Sequence, residues 1–366
     1  LDPAQFQAVA LFTDGQVRAG ATFGTADSGV LNLQRAGANA AILVDEAGAP
    51  RFPSRTGSAL ASGAQLTASE VDAMLDSVLL TALRSRAAIR RPLDTAARVS
   101  IWIVDTEGVP IGFVRTRDAP VFGIDVALQK ARTAMFFSRQ DAGALLDAVR
   151  VNNAVGAFND YVGQVRNLLG PNALTGTHAF SDRAGGNMSR PFFPDGIVTN
   201  SNGPLSLPFP GTNEVAQRSW SPFNTGLQLD LVFQRVVAPL GVPINPPPSI
   251  PDTCTDSSIL GPKIANGIQI FPGSVSLYRG DELVGGIGIS GDGIDQDDLI
   301  AFYGVSRRGL DFAGHTDIGD AVLGFNAPIE LRADNIQPTE GTRLRYVSCP
   351  EAPFRGSNEQ NVCDKL

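Results

Sequence analysis

The chain is poor in the residue types that specific chemistries need. Its 366 residues include two histidines, three cysteines, three methionines and two tryptophans. His178 and His315 leave little material for acid–base catalysis, although Asp and Glu can still serve. No CxxC or Cys/His spacing suits a zinc site, and no CxxCH motif permits covalent haem attachment. Ser-His-Asp spacing and a phosphate loop are also missing. No apolar run approaches the roughly 18–20 residues needed to span a bilayer. Lys130, Lys263 and Lys365 are the only lysines, so nearly every basic residue is arginine, as a GC-rich genome would give. The net charge of -8 and the lack of any basic block argue against a nucleic-acid surface.

What is present is ordinary for a soluble globular protein: 43% hydrophobic residues and a mean hydropathy near zero. The length exceeds one average domain and permits a substantial core. Cys254, Cys349 and Cys363 lie in Pro-, Ser- and Asp-rich surroundings in the last third. That setting suits an extracytoplasmic disulfide, and with it a periplasmic or extracellular location in a bacterium. Cys349–Cys363 would close a tail loop and Cys254–Cys349 would tie the tail to the body; spacing does not choose between them. A first residue of Leu suits a processed or truncated chain.

Residues 1–65 carry strand-like runs at Ala8–Phe12 and Ala40–Val44. The pieces Ala40–Arg55 and Ile101–Arg115 share a pattern of apolar strand, Val-Asp, a Gly-containing turn and a second strand. Thr67-Ala-Ser-Glu70 is a capping box opening a helix. Val71, Met74, Leu75, Val78, Leu79, Ala82 and Leu83 then recur at three and four, giving one buried face. Arg91-Pro92 ends it. Strands follow at Val99–Asp105 and Val109–Arg115. A helix is expected to open near Asp118, with Pro120 in its first turn and Ile124, Ala127, Leu128, Ala131 and Met135 on its core stripe. Asp141–Arg150 and Asn152–Leu169 read as further helices, the second stopped by Gly170-Pro171.

From about Ser138 to Ile264 the chain turns rich in Gly, Pro, Asn and Ser but keeps scattered Phe and Trp. A long segment with such aromatics packs on something. Thr177–Gly196 gathers His178, Asp182, Arg183, Arg190 and Asp195, and reads as an interface arm in preference to a lid. Pro246-Pro247-Pro248 is a stiff connector. Ser274–Tyr278 and Leu283–Ile289 flank the turn Arg279–Glu282 as a hairpin. Gly285, Gly286, Gly288 and Gly291 thin its second strand, so something approaches that backbone closely. A helix follows, with Asp295 as N-cap and Asp298 at its third position. Gly291–Asp298 lacks the register of a calcium loop. A last strand pair is expected at Ile329–Arg332 and Arg343–Val347.

Three signatures in this order resemble the GlcG/HbpS family, the haem-degrading or PduO C-terminal-like domain. They are the hairpin Ile103–Gly108; Arg117-Asp118-Ala119 with Lys130–Ala134; and Phe271–Ser274, Gly280, Val284–Gly291 and Gln296–Asp298. Ser274 and Ser276 depart from the family's usual Gly and Pro. The resemblance covers 66–138 and 265–308. It leaves 1–65 as a β-rich N-terminal extension, 139–264 as a large, mostly irregular insertion and 309–366 as a wrapping C-terminal extension. It implies an α+β fold of profilin-like layout, with an antiparallel sheet flanked by helices. It also implies a tendency to oligomerise and, in some members, bound haem or corrinoid.

For this chain the resemblance gathers Arg117, Asp118, Lys130, Thr133, Gly288, Ser290 and Gly291 as a binding site for haem or a similar anionic small molecule. Arg117 and Lys130 would meet carboxylates, and the glycine turn would offer amides. The plain alternative is a structural salt bridge of Asp118 beside a tight turn. Haem iron would need an axial ligand, for which His178 and His315 are the loop candidates and Met74, Met135, Met188 or a Tyr the others. A non-catalytic binding protein is therefore expected. Its rivals are an assembly subunit that uses the insertion and tail for contacts, and an enzyme acting on a small organic acid.

Overall fold

The computed structural model describes residues 20–152, 160–190, 193, 203–206, 226–228, 230–232, 255, 260–306, 324–338, 343–364 and 366. Its centre is a six-stranded antiparallel sheet of order β1-β2-β4-β3-β6-β5. The strands are β1 (Val30–Arg35), β2 (Ala38–Leu43), β3 (Ser100–Val104), β4 (Pro110–Thr116), β5 (Ser274–Arg279) and β6 (Glu282–Ser290). Helix α1 (Ala68–Arg84) lies between β2 and β3. Between β4 and β5 come α2 (Gly123–Phe137), α3 (Ala142–Asn152), α4 (Tyr161–Leu169) and α5 (Asp182–Met188), and α6 (Ile294–Ser306) follows β6. The fold is mixed α+β, with an antiparallel sheet flanked by helices, as expected.

Alternation along β3 explains the layering. Ile101 and Ile103 pack with the α1 stripe Val71, Met74, Leu75, Val78 and Leu79. Trp102 and Val104 point the other way, onto Ala127, Ala131 and Met135 of α2. Burying such side chains contributes roughly 1.5–3 kcal/mol each. The capping box at the start of α1 is formed, with the Thr67 side chain accepting from the Glu70 amide while Glu70 accepts from the Thr67 amide. Gly286 and Gly288 of β6 lie directly under α2, where a Cβ would overlap the Ala131 and Ala127 carbonyls. The glycine-thinned strand is thus the floor on which a helix rests.

The two Val-Asp turns have the same construction. Asp45 Oδ1 accepts the amides of Ala47 and Ala49 at 2.9 Å each, and Asp105 Oδ1 accepts those of Glu107 and Val109 at 2.9 Å each. Gly48 and Gly108 close the turns at φ 79° and 76°, a left-handed region open to glycine.

Several boundaries differ from expectation. Asp118 takes φ 61°, so the chain turns there and α2 starts only at Gly123. Asp295 is inside the first turn of α6 rather than capping it, because the helix already begins at Ile294, and just before it Asp292 accepts the Gly293 amide. The strand pair expected at Ile329–Arg332 and Arg343–Val347 is not formed. Ile329–Leu331 and Ala333–Asn335 are 3-10 turns, and the backbone partner of Leu331 and Ala333 is Ala179. Cys349 and Cys363 form the disulfide. Ala8–Phe12, Pro246–Pro248, Cys254 and most of Pro191–Gly196 lie outside the described residues. Among the described residues no helix is long and apolar enough to cross a membrane.

Candidate functional site

The residues singled out by sequence do not converge on one open pocket. Lys130, on the inner side of α2, is 2% exposed. Its Nζ donates to the Ile289 carbonyl at 2.8 Å and to Asp297 Oδ2 at 3.0 Å. Gly288 and Ser290 flank that carbonyl, so these three do come together, inside the protein. Thr133 lies one turn along α2, where its hydroxyl donates to the Gln129 carbonyl and accepts the Gln269 amide, both at 2.8 Å. Gly291 turns the chain against the Arg98 carbonyl. Arg117 and Asp118 stand in an exposed turn after β4, where Arg117 Nη1 reaches Asn39 Oδ1 at 3.5 Å.

Around Lys130 the first turns of α5 and α6 build a buried ionic cluster. Arg183 Nη2 binds Asp295 Oδ1 at 2.6 Å, and its Nε binds Asp298, which also accepts the Ser348 amide at 2.9 Å. Asp182 and Ser274 are joined reciprocally: the Asp182 amide donates to the Ser274 hydroxyl at 3.2 Å, and the Ser274 amide donates to Asp182 Oδ1 at 3.1 Å. Asp182 Oδ2 is buried with no partner. Three buried carboxylates thus face two cations. Burial pushes the Asp182 carboxyl well above its ordinary range, and the Asp298 charge adds to this against the pull of Lys130. Burial also raises Asp297 against Lys130, and raises Asp298 to about 6 against Arg183. The cluster is a structural clasp that joins α2, α5 and α6 over the start of β5.

As haem partners these residues fit poorly. Lys130 is committed to internal acceptors. His178 is half-buried beside Phe180, with Nδ1 3.0 Å from the Thr177 hydroxyl, and burial holds its pKa below the usual value. Met74, Met135 and Met188 are core residues, fully shielded from solvent. His315 lies outside the described residues. Among the described residues no group of three or more His, Cys, Asp or Glu side chains is placed to hold a metal ion.

An open cavity of about 480 Å³ lies at the opposite end of the sheet. In antiparallel order the β3–β4 and β5–β6 turns must share an end, and α2 finishes there. The walls are Thr106 and Glu107 from the first turn, Asp281 and Glu282 from the second, and Ser138 to Asp141 after α2, with Tyr278 among them. Arg139 is held by Asp141 at 2.6 and 2.8 Å and by Glu107 at 3.1 Å. Lys263 reaches Glu107 at 2.6 Å. Although burial opposes it, Lys263 and Arg139 hold the Glu107 carboxyl below its ordinary value, and Arg139 does the same for Asp141. Arg279, the cation nearest in sequence to the second turn, bends away to Glu70 at 2.7 Å.

The Tyr278 hydroxyl lies close to Ser138 and Ser276, but in hydrogen-bond geometry with neither; it is buried and unpartnered. Burial pushes its pKa up, so it stays a neutral phenol. An unmade hydrogen bond of this kind costs about 1–3 kcal/mol. Sequence reading passed over this cavity because its residues are turn and helix-end positions with no motif. The signal available was geometric: two hairpins whose turns must meet.

No protein-family model matches the chain, and no curated protein matches it. Among solved structures it is similar to a crystal structure of a PduOC:heme complex, at 16% sequence identity and a TM-score of 0.26, covering 65% of this chain and 90% of that one. An overlap that loose carries no argument about a ligand.

Proposed function

We propose that the protein is a small-molecule-binding protein whose ligand occupies the cavity between the two hairpin turns and the end of α2. The observation that carries this reading is the cavity itself. Its 480 Å³ falls within the range of ligand sites, and it is walled by polar groups from three separate elements. The buried cluster at Lys130 competes poorly, because its cations are neutralised from within. Haem, the ligand that the resemblance implies, remains one arm of the test. The Cys349–Cys363 disulfide supports an oxidising, extracytoplasmic setting.

The test is a ligand panel read by melting shift and calorimetry, with haemin titration followed in the Soret region. Saturable binding of one ligand per chain, weakened by Leu283→Trp to fill the cavity mouth, is expected. Binding that survives the filled cavity places the ligand elsewhere. A haemin-specific Soret shift lost on Lys130→Met but not on Leu283→Trp would return the site to the clasp.

A second reading, self-association, is favoured by exposed apolar side chains near the Ser290–Gly293 turn. Ile89, Val121 and Phe122 are each more than 60% exposed, and Ile294 is 41% exposed. The Ile89 amide donates to Asp292, and Gly123 abuts the Ser290 carbonyl, which brings these segments together.

A further inference from the structure

We infer that the end of the sheet around the turn at 290–294 docks on an anionic lipid surface. Five of the eight large apolar side chains exposed among the described residues lie here: Phe23, Ile89, Val121, Phe122 and Ile294. They stand on separate connections that hydrogen bonds and close contacts hold together. The Ile89 amide donates to Asp292 Oδ1 at 3.4 Å, two residues before Ile294. Arg90 Nη2 donates to the Gly291 carbonyl at 2.9 Å and to the Arg98 carbonyl at 3.5 Å. Gly123, next to Phe122, abuts the Ser290 carbonyl. The Phe23 ring lies 5.6 Å from the Arg115 guanidinium, whose Nη2 donates to the Ala119 carbonyl at the foot of the turn that carries Val121 and Phe122.

The independent observation is charge. The chain as a whole is negative, at -8, yet its cations at this end are uncompensated. Arg91 and Arg117 are exposed and Arg98 is half-buried, and among the described residues no carboxylate pairs with any of the three. Beneath them Arg115 is fully buried, and its Nε and Nη1 have no partner. The carboxylates of the same end are mostly engaged: Asp292 by Arg90, Asp94 by Arg86 and Asp295 by Arg183. Asp118, whose charge acts on Arg115, and Asp125, which accepts the Asn266 amide group at 3.1 Å, remain. Four unpaired cations thus face two carboxylates beside an exposed apolar cluster. Two copies of such a face would bring like charges together. Lipid phosphates would neutralise them, while Ile89, Val121 and Phe122 enter the boundary of the acyl chains. Charge therefore favours a lipid surface over a second copy.

The experiment is flotation of the full chain with two kinds of vesicle, phosphatidylcholine alone and phosphatidylcholine with phosphatidylglycerol in equal parts. Binding is expected to the anionic vesicles alone, and to weaken as salt is raised. Arg91→Gln and Arg117→Gln should each weaken it about fivefold. Phe122→Ser should weaken it about tenfold. Arg343→Gln, which removes an exposed arginine of the tail, should leave it unchanged. All four substituted side chains are exposed, and a melting temperature equal to the parent's shows that the variants are folded. Equal binding to both kinds of vesicle, or binding indifferent to both Arg91→Gln and Arg117→Gln, would overturn the inference. So would a chain that ignores vesicles and sediments as an oligomer that Phe122→Ser dissociates, which would assign the face to a second copy. A chain that neither binds vesicles nor associates would overturn it too. The cavity reading stands apart from each of these outcomes.

Discussion

Lys130, Asp182, Arg183, Asp297 and Asp298 set the chain an electrostatic problem, and burial pushes the Asp182 carboxyl furthest toward its neutral form. Asp182 is the carboxyl least able to find a cation, and its free oxygen is shielded from water. With both cations committed to Asp297 and Asp298, the neutral acid is the form that burial favours. The consequence is a pH dependence of known sign. Below about pH 4 the carboxyl is protonated in both folded and unfolded chains, and costs nothing extra. As pH rises the unfolded chain releases the proton while the folded chain retains it, so stability falls. Asp298 adds a loss of the same sign between about pH 4 and its folded value of about 6, on the order of 3 kcal/mol. Asp182→Asn keeps the acceptor for the Ser274 amide and removes the ionisation. Its stability relative to the parent, from urea unfolding at pH 4 to 9, should improve steadily with pH, by up to about 1.4 kcal/mol per unit. A pH-independent gap would show that Asp182 is already charged in the folded protein.

At the scale of elements, the connections do as much as the strands. Among its described residues the tail after the last 3-10 turns carries no strand, yet it is fastened to the end of α1. The Arg86 amide donates to the Pro353 carbonyl at 2.7 Å, and that of Arg355 to the Arg84 carbonyl at 2.9 Å. Phe354 is fully buried against Tyr303, 5.2 Å between ring centroids, beneath the Arg84 guanidinium. The Cys349–Cys363 bridge closes the 14-residue separation around this anchor. By chain entropy such a loop contributes about 3 kcal/mol. The double variant Cys349→Ser, Cys363→Ser should lose that amount in chemical unfolding, and reductant should reproduce it in the parent alone. A parent insensitive to reductant would show that the Phe354 anchor, not the bridge, holds the tail.

Across the whole molecule the two ends of the sheet differ in character. One holds an acidic cavity between hairpin turns, and the other an apolar, glycine-turned surface around Ile89, Val121, Phe122 and Ile294. Apolar groups collected in this way mark contact surfaces. If copies associate through that end, Val121→Asp with Phe122→Ser should shift sedimentation velocity from oligomer to monomer and leave the cavity's ligand binding unchanged. A chain monomeric before substitution at tens of micromolar would sink the association reading.

Much of the fold was legible locally. The Thr67–Glu70 capping box, the α1 stripe and the two Val-Asp turns are short-range devices whose partners lie within a few residues, so composition and spacing determine them. The glycines of β6 likewise announced a close neighbour, and α2 is that neighbour. What the spacing could not carry was which distant groups meet. Lys130 looked like an anion ligand because its partner Asp297 is far along the chain, and the energy that binds the pair exists only once both are buried. The 3-10 turns at Ile329–Asn335 replaced expected strands because Ala179, between α4 and α5, supplied their backbone bonds. The cavity is the clearest case: no residue of it is distinctive, and only the antiparallel order β4-β3-β6-β5 brings its turns to one end. Local propensity and periodicity were thus settled by the sequence alone. Charge pairing, the shared end of the hairpins and the unpartnered Tyr278 hydroxyl were decided by tertiary structure, since desolvation and contact are properties of the folded chain.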